Sequence, residues 1–142
     1  MTAGAGYTGS VWLPPSRQQP KTIADWLALP EGHRFELIDG ELIEKAGPAF
    51  EHGLAQRNAS GAIGERYNRP PGGPRGPGGW WIVTEVDIAL GSGIFRPDIA
   101  GWRREHLRDV PQARILEARP DWICEIVSDS NRTTDTVKKL RR

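Results

Sequence analysis

The chain has 142 residues, of which 26% are charged, and its formal net charge is +1. This length predicts one domain with a modest core, and the near-neutral charge leaves any binding to nucleic acid or membrane to local patches. The single cysteine, Cys124, excludes an internal disulfide, and no apolar segment approaches the ~20 residues that span a bilayer. We therefore expect a cytoplasmic protein without a membrane partner.

Residues 1–20 are rich in Gly, Ser, Pro and Gln and contain few large apolar side chains. This composition predicts a flexible N-terminal leader, followed by one folded domain over residues 21–142. The domain is predicted to begin with a short helix, because Thr22 and Asp25 have the spacing of a capping box and Pro30 follows as a stop signal.

The clearest local pattern is Asp39-Gly40 between two alternating apolar segments. Both central positions of a two-residue hairpin turn need positive φ, so this pattern predicts antiparallel strands at about residues 34–38 and 41–45. Apolar residues at helical spacing then predict a helix over residues 51–67. Its internal glycines weaken this helix and make it depend on tertiary packing.

The second half of the chain begins with a connector at residues 69–79, where Pro and Gly disfavour both helix and sheet. Strands are predicted at residues 80–90, 95–102 and 121–128, and a last helix runs to residue 142. This order of elements predicts an α/β domain with a mixed central sheet of about five strands flanked by helices.

Two carboxylates, Glu125 and Asp98, lie inside apolar strand segments, and Asp98 directly follows Pro97. A buried carboxylate usually has a partner, a raised pKa or a bound cation. If the two strands are neighbours in register, both acids point to one spot, where Mg²⁺ would offset their repulsion and desolvation. Two alternatives to a metal site stay open. In the first, Asp98 is a strand-end residue bound by backbone N–H groups. In the second, Glu125 is an ion-pair partner of Arg96 or Arg132.

Basic residues near the end of the chain are candidates for the same site. Lys138 and Lys139 fall on the predicted last helix, which could fold back and bring one ammonium group to the acid pair. Asp135 precedes Lys139 by four residues, so an ordinary pair on the helix surface is the alternative. Arg103 and Arg104 are expected on a solvated surface.

Three segments of the chain, taken in order, resemble a known family. They are Phe35-Glu36-Leu37-Ile38-Asp39-Gly40-Glu41-Leu42, Arg96-Pro97-Asp98-Ile99-Ala100, and Glu125-Ile126-Val127-Ser128-Asp129-Ser130 followed by Asp135 and Lys139. Together they resemble the Uma-type restriction-endonuclease-like family, a branch of the PD-(D/E)XK nuclease superfamily. The resemblance spans roughly residues 22–142 and implies a restriction-endonuclease-like domain that lacks its last strand.

The resemblance also implies an activity and the residues that carry it. It implies a Mg²⁺-dependent DNA endonuclease that hydrolyses phosphodiester bonds, in which Asp98 and Glu125 hold the metal and Mn²⁺ can substitute. Val127 stands where the superfamily motif has its lysine, and the resemblance moves the basic role to Lys139 on the following helix.

Two further residues match positions of the family, Glu36 as a catalytic residue and His52 as an accessory one. The alternatives are a solvent-facing strand position for Glu36 and a satisfied helix-end residue for His52. For the whole chain, the alternative is a catalytically inactive, truncated member that acts as an interaction module, because Val127 replaces the motif lysine. DNA is the partner expected of the enzyme, and a homodimer is left open.

Overall fold

A computed structural model describes residues 19–127 of the protein. Several predicted features lie outside the described residues. They are most of the leader, Arg132, and the last helix with Lys138 and Lys139. The described part contains two helices and eight strands. They are α1 (Ile23–Leu27), β1 (Phe35–Ile38), β2 (Glu41–Glu44), α2 (Phe50–Tyr67), β3 (Trp80–Thr84), β4 (Asp87–Leu90), β5 (Gly93–Phe95), β6 (Ile99–Arg103), β7 (Ile115–Leu116) and β8 (Trp122–Cys124).

The first helix and the hairpin form where the local signals predict them. The Thr22 side chain accepts from the backbone N–H of Asp25, and the Asp25 carboxylate accepts from the backbone N–H of Thr22 at 2.7 Å, which completes the capping box. Asp39 and Gly40 have φ values of 53° and 76°, and β1 pairs antiparallel with β2 across them.

The predicted long helix is present as α2, which packs against β3. His52 is the buried residue of this helix, and its glycines lie on an otherwise open surface. In the part of the chain that is described, neither helix combines the length and the apolar character that a membrane span requires.

The strands form two sheets. The larger sheet has the order β2-β1-β5-β4-β7, and it is mixed because β4 and β7 are parallel while its other pairs are antiparallel. The smaller sheet has the order β3-β6-β8 and is antiparallel throughout. The predicted α/β class with a five-stranded mixed sheet is therefore confirmed, and the second sheet is an addition that the sequence did not predict.

Each of the two strands predicted at residues 80–90 and 95–102 is divided between the two sheets. The first breaks at Glu85, whose φ of 56° lies in the left-handed region and ends β3 before β4 begins. The second breaks at Pro97, which has no N–H to donate to a ladder, between β5 and β6. The chain thus crosses between the sheets at two points, and Asp98 lies at the second.

Two apolar clusters hold these sheets. Trp26, Leu37 and Ile94, all fully buried, anchor α1 on the larger sheet. A second cluster joins the two sheets, since Ile88 lies in β4 whereas Ala100 and Trp102 lie in β6. Because close-packed cores resist deformation, the second cluster fixes the two crossing points relative to each other.

Candidate active site

Asp98 and Glu125 come together at one end of the smaller sheet. In the antiparallel pairing of β6 with β8, Ile99 stands opposite Cys124, so the residue before β6 and the residue after β8 are neighbours. The backbone N–H of Asp98 donates to Oε2 of Glu125 at 3.4 Å. The structure thus has the two residues side by side, in contact through the backbone of Asp98 and the carboxylate of Glu125.

Asp98 is completely buried, and both of its carboxylate oxygens are bound. Oδ1 accepts from Nζ of Lys45 at 2.7 Å, with Nε2 of His52 at 3.4 Å, and Oδ2 accepts from the backbone N–H of Ile126 at 2.7 Å. Burial alone would raise the pKa of Asp98, but these hydrogen bonds and the charges of Lys45 and His52 hold it below its ordinary value. Asp98 is therefore a charged carboxylate in a dry setting.

Lys45 is the cation of this site within the described residues, and the sequence interpretation missed it. Only 8% of Lys45 is exposed, and its Nζ also donates to the carbonyl of Arg96 at 2.7 Å and lies 3.6 Å from Oε1 of Glu85. A signal for it exists in the hairpin. Side chains alternate along a strand, so Lys45, which follows β2, lies on the same face as the apolar Ile43.

Gln56 and Glu85 are two more site residues that sequence reasoning missed. Nε2 of Gln56 donates to the backbone carbonyl of Asp98 at 2.9 Å and to Oε1 of Glu85 at 3.0 Å, so α2 is tied to both crossing points. The other carboxylate oxygen of Glu85 is buried and has no hydrogen-bond partner among residues 19–127. Nothing local singled these residues out, because their role depends on contacts across 29 and 42 positions of sequence.

Glu36 is 2% exposed, so the solvent-facing alternative for this position is wrong. Its Oε1 accepts from the backbone N–H of Arg96 at 2.6 Å, two residues before Asp98. The guanidinium group of Arg96 binds both carboxylate oxygens of Asp87, at 2.7 and 2.9 Å. Glu36 and Asp87 therefore hold the segment that carries Asp98, and the Arg96 side chain is committed to Asp87.

Glu125 lies closer to the surface than Asp98. It lines a cleft of about 520 Å³ together with Pro97 and Trp122. Burial, with the nearby charges of Asp98 and Glu125, raises the pKa of the adjacent Cys124 thiol. A raised pKa keeps the thiol protonated, so Cys124 is a small packing residue and not a nucleophile.

The donor set fits a hard divalent cation in its chemistry. Asp98 and Glu125 offer carboxylate oxygens, and Mg²⁺ commonly takes one or two carboxylates and fills its remaining positions with water and phosphate oxygens. Within residues 19–127, no group of three or more His, Cys, Asp or Glu side chains is arranged to hold a metal. The fit therefore rests on the two-carboxylate pair. Lys138 and Lys139, the predicted basic residues, lie outside the described part.

The mixed α/β fold is that of a nuclease-like domain, as two comparisons with known proteins show. The Uma2 family, described as "Putative restriction endonuclease", matches residues 23–142, and the chain belongs to this family. A solved structure from Anabaena variabilis ATCC 29413, of a "putative nuclease belonging to DUF820", superimposes with a TM-score of 0.71 and 24% identity, over 86% of this chain and 66% of that chain. At this identity the likeness shows the fold, and the chain spans just under two thirds of that protein. No curated protein matches the chain.

Proposed function

We propose that this protein is a Mg²⁺-dependent DNA endonuclease that hydrolyses phosphodiester bonds at Asp98 and Glu125. The observation that carries the proposal is a fully buried, charged Asp98 whose backbone N–H contacts the carboxylate of Glu125. Asp98 is charged although it is buried, and a carboxylate with a perturbed pKa is typical of functional sites. Membership of a family described as restriction endonucleases supports the reaction class and DNA as the partner.

Asp98 and Glu125 would hold the metal, with Mn²⁺ as a substitute for Mg²⁺. The chemistry that a divalent cation supplies there is polarisation of a phosphoryl oxygen and activation of a water molecule. The residues of the chain itself keep the acids in place. Lys45 binds Oδ1 of Asp98 and offsets its charge, and Gln56 holds the carbonyl of the same residue.

The remaining predicted residues have supporting roles in this proposal. Glu36 positions the Arg96 backbone and thereby Asp98, and His52 adds a polar contact to the same carboxylate at 3.4 Å. Lys139 remains the proposed group that orients the attacking water, as the family resemblance implies. The proposed domain comprises residues 21–142. The proposed location is the cytoplasm, where a DNA substrate is accessible.

The test is plasmid nicking in Mg²⁺ or Mn²⁺, combined with calorimetric titration of Mn²⁺ alone. Asp98→Ala and Glu125→Gln should each lower the nicking rate by more than about 100-fold and weaken Mn²⁺ binding, because each removes a ligand. Asp109→Ala, at an exposed position away from the site, is the matched control and should behave as wild type. Equal nicking by Asp98→Ala and wild type would show that the assignment is wrong.

One observation favours a second candidate, an inactive family member that serves as an interaction module. The ammonium group of Lys45 already satisfies Asp98 Oδ1 at 2.7 Å, and Val127 stands at the motif lysine position. This alternative predicts no Mn²⁺ binding by the wild-type protein and no metal-dependent nicking. Saturable Mn²⁺ binding that is lost in Asp98→Ala excludes it.

A further inference from the structure

Arginine side chains cluster at the opposite end of the smaller sheet from Asp98. A pocket of about 310 Å³ is lined by three arginines, Arg66, Arg69 and Arg75, together with Ala62 and one acidic residue, Glu65. Arg66 belongs to the last turn of α2, whereas Arg69 and Arg75 lie in the Gly- and Pro-rich connector that the sequence predicted to be irregular.

The connector folds back onto the end of α2 and fixes these arginines. The backbone N–H of Gly78 donates to the carbonyl of Arg66 at 3.2 Å, and that of Gly79 donates to the carbonyl of Arg69 at 2.7 Å. Gly78 has a φ of 51°, and a Cβ there would collide with the Pro70 carbonyl, so this close return needs glycine. The pocket is therefore built by the fold of the connector.

Arg69 is held in one orientation. Its Nη2 donates to the carbonyls of Arg75 and Gly76 at 2.7 and 2.9 Å. Its Nε is buried and has no hydrogen-bond partner in the described part of the chain, so a ligand in the pocket does not reach it. Three arginines against one glutamate give the pocket a net positive charge, which matches the charge of a phosphate group.

A groove adjoins this pocket, and the two share Ala62 in their linings. The groove, of about 570 Å³, runs between α2 and β3 and has no acidic residue among the residues that line it. Its polar lining comes from Arg57, Asn58, Ser60, Asn68 and Thr84. Gln56, the neighbour of Arg57 on α2, reaches the carbonyl of Asp98 at 2.9 Å. A polyanionic strand would thus meet no negative charge from the groove itself.

The separation of the two sites suits a nucleic-acid backbone. At about 1.5 Å per residue along α2, Arg66 lies about 21 Å from His52, which contacts Asp98. At about 3.3 Å per residue along β6, Asp98 lies about 17 Å from Arg103, the residue whose guanidinium group is over Trp80. Both distances correspond to about five or six base-pair steps of 3.4 Å.

We propose that the pocket of Arg66, Arg69 and Arg75 binds a backbone phosphate of the DNA substrate, about 17 to 21 Å from the acid pair. The proposal rests on the DNA endonuclease function and deepens it, because it assigns the surface along which the substrate lies. Contacts of this kind position the duplex without reading its sequence.

The test is binding of a fluorescent duplex of about 30 base pairs, several turns longer than the proposed contact. Anisotropy is measured with the full chain in EDTA, so that cleavage does not interfere. Arg66→Gln and Arg75→Gln change exposed side chains and should each weaken binding by roughly 3- to 10-fold, and each should lower the slope of log K against log salt by about 1. Arg114→Gln is the matched control for Arg66→Gln, because both side chains are exposed and both lie near a ring, Arg114 at 5.1 Å from Trp26 and Arg66 at 5.9 Å from Tyr67.

Equal affinities for all three variants and wild type would overturn the proposal, as would an equal loss in all three. A second arm titrates inorganic phosphate into the same proteins. Weaker phosphate binding in Arg66→Gln and Arg75→Gln without a change in DNA affinity would also overturn it, since the pocket would then serve a free phosphate. If the DNA losses occur as expected but wild type shows no metal-dependent nicking, the pocket stands and the endonuclease function is wrong.

Discussion

Strand β6 begins beside Asp98 and ends at Arg103, and its two ends differ in the sign and burial of their charges. At the first end, Asp98 is completely buried and bound by Lys45, Ile126 and His52. At the second end, Arg103 is exposed and Arg104 is partly exposed, lying 3.5 Å from the Trp81 ring. The first end therefore has a buried carboxylate with an ammonium partner, and the second has guanidinium groups that water reaches.

This difference separates two physical requirements. Charges in a low-dielectric interior interact strongly and keep one geometry, which suits a group that takes part in chemistry. Exposed charges are screened by salt and tolerate several geometries, which suits attraction of a polyanion. Changes at the buried end should therefore have large effects on stability, and changes at the exposed end should have small ones.

The largest effect is expected for Lys45→Met. This change leaves Asp98 charged and buried without its ammonium partner, which should lower the free energy of unfolding by about 3–5 kcal/mol in urea titrations. The double variant Lys45→Met/Asp98→Asn should recover much of the loss, because it removes the unpaired charge. Lys21→Met, at an exposed position, is the control. A loss for Lys45→Met that is no greater than for the control would contradict the comparison.

The next effect is on stability in acid. The pKa of Asp98 is lowered in the folded state: burial acts to raise it, and the bonds from Lys45 and Ile126 outweigh burial. A lowered folded pKa stabilises the protein above the unfolded value of about 3.9, and this contribution is lost as pH falls through the folded pKa. In Asp98→Asn, the free energy of unfolding should therefore fall less steeply with decreasing pH below about pH 5.

Asp121 provides the comparison at the Arg103 end. Its carboxylate accepts from the backbone N–H of Arg103 at 2.8 Å, and its pKa is also lowered, since this bond and His106 outweigh the effect of burial. Asp121→Asn should reduce the acid-induced fall in the free energy of unfolding less than Asp98→Asn does, because water screens the more exposed group. Urea titrations between about pH 5 and pH 2 measure both slopes, and a larger change for Asp121→Asn would contradict the ranking.

The smallest effects are expected for Arg104→Gln and Arg103→Gln. The guanidinium group of Arg104 lies over Trp81 and its Nε donates to the carbonyl of Trp80 at 3.1 Å, so the loss for Arg104→Gln should be about 1 kcal/mol in the free energy of unfolding. Arg103→Gln, at the exposed neighbour 5.5 Å from the Trp80 ring, should change it by less than about 0.5 kcal/mol. Losses near those of Lys45→Met would remove the distinction between the two ends.

The sequence by itself determined the features that depend on neighbouring residues. Asp39-Gly40 specified the hairpin because positive φ is a local requirement, and Thr22 with Asp25 specified the start of α1 because a capping box spans one turn. The apolar run around Glu125 marked that residue as unusual, but Trp122 and Ile123 in this run are exposed and the strand ends at Cys124, so the predicted burial of this segment is wrong. A charge within an apolar segment is visible without knowing the fold.

The tertiary structure alone decided which residues surround Asp98. The local pattern predicts one unbroken strand at residues 80–90 and another at residues 95–102, because it does not say which sheet each half joins. The breaks at Glu85 and Pro97 place the two halves in different sheets, and only that arrangement brings Lys45 and Gln56 to Asp98. Lys45 ends the second predicted strand of the hairpin, and its buried partner lies 53 residues away. Contacts over such separations form when the sheets pack, so a local sequence pattern does not record them.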